Sequence, residues 1–165
     1  RFHSLPLALM LDSTSIRARP EVRKDQAMTK RVYVAGPLFN SLERGYLEQI
    51  TVALEQAGYD TFLPHRDAGI LGDLSDIRER RRIYHGDLAA LEACDLLIAL
   101  LTGADHDSGT CGELGYMVAQ GKPCFGITDD VRRLNNLIWG LCHEGEWIAS
   151  DIASLLTLVQ QHAPA

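Results

Sequence analysis

The sequence predicts one doubly wound α/β sandwich, with about five parallel strands in a single sheet and helices on both faces. Three observations lead there. Strand-like segments rich in β-branched and apolar residues alternate with segments of helical periodicity from residue 31 onward. The stretch Asp95-Leu96-Leu97-Ile98-Ala99-Leu100-Leu101 is almost continuously apolar, as a central parallel strand covered on both faces requires. Glycine and proline mark the joints, at Gly36-Pro37, Gly58, Pro64 and Gly121-Lys122-Pro123.

Arg31-Val32-Tyr33-Val34-Ala35 reads as the first strand, ended by Gly36-Pro37. Residues 42–57 then place Leu42, Tyr46, Ile50 and Leu54 on one helical face. Tyr59 to Leu63 returns as a second strand, and a polar, glycine-containing loop follows Pro64. From Asp76 to Ala93 a second long helix is expected, with Ile77, Tyr84, Leu88 and Leu91 inward and Arg78, Arg80, Arg81 and Arg82 on a solvated face. After the apolar strand come a helix over 110–120, a strand over Cys124 to Thr128, and a short helix over 133–142. A short strand near Glu146 to Ala149 and a terminal helix complete the order. Right-handed crossovers between such strands give a flavodoxin-like or Rossmann-like sandwich, whose ligand lies above the carboxyl ends of the strands.

The chain has 165 residues, of which 46% are apolar, enough for one domain with a proper core. A formal net charge of -6 argues against a nucleic-acid polymer as partner and for a small molecule. The apolar run Leu5 to Leu11 is too short to span a membrane, and no membrane partner is expected. Residues 1–27 read as a disordered leader or appended extension, with Met28 as a natural start and a functional domain over 28–165. Cys94, Cys111, Cys124 and Cys142 show no metal-ligand spacing and read as reduced thiols of a cytoplasmic protein.

The chemistry concentrates in Asp107-Ser108-Gly109-Thr110-Cys111-Gly112-Glu113-Leu114-Gly115, directly after the apolar strand. With the helix starting at 110, Glu113 falls in its first turn, where the macrodipole favours an ionised carboxylate. First-turn acids often do no more than complement that dipole, contributing about 0.3–1 kcal/mol. Asp107, a second carboxylate at the same strand end, and glycines that keep the backbone open favour a catalytic pair instead. The string Asp107-Ser108-Gly109-Thr110 also matches the catalytic loop of aspartic proteases, but those proteins are all-β. The chain has no G-x-G-x-x-G or Walker lysine in its first loop, no G-x-S-x-G and no H-E-x-x-H, which leaves carboxylate chemistry.

Taken together, Tyr33-Val34-Ala35-Gly36-Pro37-Leu38-Phe39, Asp87, the Asp107 to Gly115 motif and Asn135-Asn136-Leu137-Ile138-Trp139 resemble the nucleoside 2-deoxyribosyltransferases and the related deoxynucleoside monophosphate N-glycosidases. The resemblance implies that Glu113 attacks the anomeric carbon to form a covalent glycosyl-enzyme, as in retaining glycosidases. It implies that Tyr33 orients Glu113, Asp107 assists protonation of the departing base, and Asp87 positions the nucleoside. Phe39 would stack on the base, while Gly36, Pro37 and Gly109 would line the substrate loops. Asn135, aligned from Trp139, would bind the sugar in a neighbouring subunit's site, making the protein a homo-oligomer, a dimer at least. No metal or organic cofactor is implied. The monophosphate hydrolases carry a serine-bearing loop after the first strand, whereas this chain has a lone Ser41, which favours transfer between nucleobases over hydrolysis. Hydrolysis of (deoxy)nucleoside monophosphates and a non-catalytic nucleotide sensor are the alternatives.

Overall fold

The computed structural model describes residues 29–69, 75–103 and 105–165. The leader over 1–27 and the expected start at Met28 lie outside the described residues. Five strands, β1 (Arg31–Ala35), β2 (Asp60–Phe62), β3 (Leu96–Leu100), β4 (Cys124–Ile127) and β5 (Ile148–Ala149), form one all-parallel sheet in the order β2-β1-β3-β4-β5. This is the flavodoxin-like order, whose direction reverses between β1 and β3. Loops leaving those two strands therefore diverge to opposite faces and open a crevice at their carboxyl ends.

Among the described residues six α-helices accompany the strands: α1 (Ser41–Gln56), α2 (Pro64–Asp67), α3 (Ile77–Ala93), α4 (Ser108–Ala119), α5 (Asn136–Leu141) and, after the last strand, α6 (Ile152–His162). The period-2 alternation of the strands divides the core into two layers. Val32, Val34, Leu96, Ile98 and Leu100 face Leu47, Ile50 and Leu54 of α1 and Leu155 and Val159 of α6. Tyr33, Ala35, Leu97 and Ala99 face the other way, among Leu91 of α3, Leu114 and Met117 of α4 and Ile138 of α5. Each fully buried aliphatic side chain contributes about 1.5–3 kcal/mol to this packing. No helix among the described residues is long and apolar enough to cross a membrane.

Several expected features are corrected. Leu42 is exposed rather than inward, because the buried face of α1 runs through Leu47, Ile50, Thr51 and Leu54, after a capping box formed by Asn40 and Glu43. Ile77 and Tyr84 are exposed too, since only Ala90 and Leu91 of α3 are buried. The loop after Pro64 holds the one-turn α2, started by proline at its first position. The helix expected over 133–142 is a 3₁₀ turn, Val131–Arg133, followed by α5. Most consequentially, α4 begins at Ser108 instead of 110, because Asp107 is its N-cap. Glu113 therefore stands in the second turn, where the terminal dipole has largely faded.

Candidate active site

The N-terminus of α4 is built by Asp107, whose Oδ2 accepts from the Thr110 backbone N–H and from Thr110 Oγ1, each at 2.7 Å. Such a cap satisfies a helix-end donor and contributes about 1 kcal/mol. β3 ends at Leu100 and α4 begins at Ser108, and Glu113 on that helix reaches back over the sheet to β1. There the hydroxyl of Tyr33 donates to Glu113 Oε1 at 2.6 Å. The Tyr33 ring is fully buried in the core layer beneath α3 and α4.

The electrostatics follow from that burial. Desolvation pushes the Glu113 carboxyl up from its ordinary 4.5 to about 7; the Tyr33 hydrogen bond opposes the rise, and the charges of Asp87 and Asp107 reinforce it. The expectation of a nucleophile kept ionised by the helix dipole is thus replaced by a half-buried carboxyl poised near neutrality. Burial, then Glu113, hold the Tyr33 phenol far above its usual range, so it stays protonated and acts as a donor. Asp87, on α3, is raised by burial against the lowering influence of Arg82. Arg82 itself is engaged, its Nε donating to Glu79 Oε2 at 2.9 Å.

Tyr33, Glu113, Asp87 and Asp107 are therefore brought into one electrostatically connected group. Other expected site residues lie elsewhere in the single chain. Phe39 is 79% exposed just ahead of α1. Asn135 is exposed and caps α5, its Oδ1 accepting from Leu137 N at 2.8 Å. It lines a groove with His106, Cys111 and Arg133, a set that includes neither Tyr33 nor Glu113. Pro37 is buried at the foot of the first loop.

Packing accounts for the glycine at 36: a Cβ there would come within 2.6 Å of Leu47 Cδ2 and 3.0 Å of Leu100 Cβ. At Gly109 a Cβ would lie 3.1 Å from the capping oxygen of Asp107. Gly112 and Gly115 flank Glu113 with nothing within 4 Å of an added Cβ, so neither packing nor backbone shape demands glycine there.

Sequence reading missed Phe62, whose ring lies 5.4 Å from that of Tyr33. Its signal appears only once the sheet order is known, because β2 and β1 are paired with Tyr33 opposite Phe62. Among the described residues there is no cluster of three or more His, Cys, Asp or Glu side chains arranged to hold a metal. The arrangement suits attack by a carboxylate on an electrophilic carbon, with a neighbouring acid available to a leaving group.

Residues 32–152 match the protein family described as nucleoside 2-deoxyribosyltransferase. No curated protein sequence matches the chain. Among solved structures the chain is similar to a conserved protein from Enterococcus faecalis, with 25% identity, a TM-score of 0.69, and coverage of 81% of this chain and 98% of that one. It is similar to a 2-deoxyribosyltransferase from the psychrotolerant bacterium Bacillus psychrosaccharolyticus, with 21% identity, a TM-score of 0.67, and coverage of 78% and 95%. It is also similar to a CMP N-glycosidase from Clostridium botulinum, with 23% identity, a TM-score of 0.55, and coverage of 81% and 99%. At these identities the two named enzymes support the fold alone.

Proposed function

Because the chain belongs to the nucleoside 2-deoxyribosyltransferase family, we propose that it cleaves the N-glycosidic bond of 2′-deoxynucleosides and transfers the deoxyribosyl group to a second nucleobase. The single observation that carries this reading is the 2.6 Å hydrogen bond from the buried Tyr33 hydroxyl to Glu113 Oε1. That bond occupies one carboxylate oxygen and leaves Oε2 to attack C1′ of the sugar. As the new O–C1′ bond forms, the C1′–N bond breaks and its electron pair leaves with the base, which takes up a proton from water with the assistance of Asp107. A second base then attacks C1′, Glu113 departs as carboxylate, and the incoming base loses its proton to water. Two displacements at one carbon retain its configuration.

Asp87 holds the nucleoside against this pair, and Phe39 closes over the base as a stacking surface. Asn135 contributes to the sugar site of a neighbouring copy, so the working protein is a homo-oligomer. Supporting that assembly, Val131, Leu137 and Trp139 are exposed around Asn135, at 49%, 69% and 41%. Both ring nitrogens of His106 in the adjoining groove are buried without a hydrogen-bond partner.

The test is incubation with deoxyinosine or thymidine, with and without adenine, alongside the matching deoxynucleoside monophosphates, followed by chromatographic separation. A new deoxynucleoside formed only with adenine supports transfer. Free base released without an acceptor would replace transfer with hydrolysis, and the preferred substrate would show whether a phosphate is required. Binding without turnover of any substrate would overturn the enzymatic reading in favour of a sensor.

A further inference from the structure

We propose that Phe62 is a positioning residue, the flat surface that holds the Tyr33 ring so that its hydroxyl meets Glu113; this rests on the reading of Glu113 as nucleophile. Tyr33 and Phe62 are register partners on adjacent parallel strands, so their side chains leave the sheet on the same face. Their ring centroids are 5.4 Å apart with planes inclined by 31°, a packing distance typical of a stabilising aromatic pair. The phenol is thus fixed at its tip by Glu113 and along its side by Phe62.

Phe62 is itself held from beyond. The Arg31 guanidinium lies 6.0 Å from its ring centroid. Arg31 is in turn paired through Nε with Asp60 Oδ2 at 3.1 Å, and its backbone N–H donates to Asp95 Oδ2 at 2.8 Å. β2 is a three-residue edge strand, so this clamp fixes its orientation where few ladder hydrogen bonds do.

The consequence reaches the nucleophile because the Tyr33 hydrogen bond lowers the proton affinity of Glu113. The other groups acting on Glu113, Asp87 from α3 and Asp107 from the α4 cap, both raise it. Cys94 and Asp87, with Glu113, bear on Tyr33 and keep its proton in place. Letting the phenol tilt would weaken the hydrogen bond and leave the raising influences unopposed.

The experiment compares Phe62→Ala, Phe62→Leu and Phe62→Tyr for kcat, KM and the pH profile of deoxynucleoside cleavage. Phe62→Ala is expected to lower kcat about tenfold with KM little changed, within the loss that slight misplacement of a catalytic group causes. Its acid limb should move up by about 0.5–1 pH unit as the hydrogen bond weakens. Phe62→Leu, which keeps bulk without a flat ring, should shift the limb in the same direction by less, and Phe62→Tyr should restore both kcat and the limb. Wild-type kcat and an unmoved limb in the Ala variant, whatever its melting temperature, would overturn the proposal. Should that variant not fold, an unmoved limb in Phe62→Leu overturns it equally. Carboxyl ¹³C NMR titration of Glu113 reads the contact without turnover: an upward shift in Phe62→Ala supports the positioning role even in a protein that cleaves no nucleoside, and an unchanged titration refutes it. Full cleavage activity in Glu113→Ala would instead sink the nucleophile reading.

Discussion

Replacing Glu113 by glutamine should make the protein more stable at alkaline pH while removing its activity, and the size of the effect follows from where the carboxyl sits. Its proton affinity rises from 4.5 to about 7 on folding, chiefly because the charged form loses water. As the folded value lies above the unfolded one, the unfolded chain releases this proton first as pH rises. The stabilisation is therefore complete below about 4.5 and lost as pH climbs through about 7. At about 1.36 kcal/mol per pKa unit, and allowing for the part of the side chain that still meets water, ionised Glu113 costs roughly 2–3 kcal/mol of stability by pH 8. Glutamine keeps an acceptor for Tyr33 but carries no charge, so its variant avoids this loss. Urea unfolding at pH 5, 6, 7 and 8, at one fixed protein concentration, measures the difference. The gap between variant and wild type should widen across that range in favour of the variant. Parallel curves would refute the claim that burial raises the Glu113 carboxyl.

Tyr33→Phe removes a hydrogen bond to a charged group, worth about 1.5–3 kcal/mol, and should move the acid limb of cleavage upward by about 1–2 pH units; an unmoved limb would show that the phenol does not act on Glu113. Asp107→Ala should lose both the α4 cap, about 1 kcal/mol by thermal unfolding, and base departure, whereas Asp107→Asn should keep most of the cap and lose only turnover. Gly115→Ala should raise helix stability by about 0.5–1 kcal/mol, and a drop in activity despite that gain would mean the open space at Gly115 is used by ligand or partner. Mixing inactive Glu113→Ala and Asn135→Ala chains after reversible dissociation should restore about a quarter of the wild-type sites in a dimer, because about half the dimers are hybrids and each hybrid has one intact site. A mixture as inactive as its components would refute site sharing.

The parallel sheet was legible because its strands carry their burial in the sequence: Leu96 to Leu101 are apolar on both faces, and all are buried. The pairing of Tyr33 with Glu113 follows once β1 and β3 are neighbours and α4 is the helix that follows β3. What could not be read was helix phase at the ends. The sequence puts Asp107 ahead of a helix over 110–120, whereas the acceptor offered by its own side chain caps a helix that begins two residues earlier, at Ser108. Leu42, Ile77 and Tyr84 fit a helical apolar face in sequence, but periodicity does not reveal where a helix leaves the body of the domain. Phe62 was invisible for a different reason, since its partner lies on another strand and the register between them is a property of the assembled sheet.

The displaced helix start also changes the physical account of the proposed nucleophile, Glu113. A first-turn carboxylate would be stabilised as an anion in the free enzyme, and that stabilisation would oppose the loss of charge on bonding to C1′. Second-turn burial acts in the opposite direction. Under the proposed mechanism the anion is poorly solvated before attack, and formation of the O–C1′ bond neutralises it, so the desolvation cost is relieved as the reaction proceeds. Interactions that favour the transition state over the ground state accelerate the step, whereas uniform stabilisation of the anion would not. Tyr33 then sets the balance: its hydrogen bond keeps enough Glu113 ionised near neutral pH to react, while Asp87 and Asp107 keep the anion from becoming too stable. A site with the hydrogen bond but without burial would hold more anion and attack less readily, which is why both features belong to the same device.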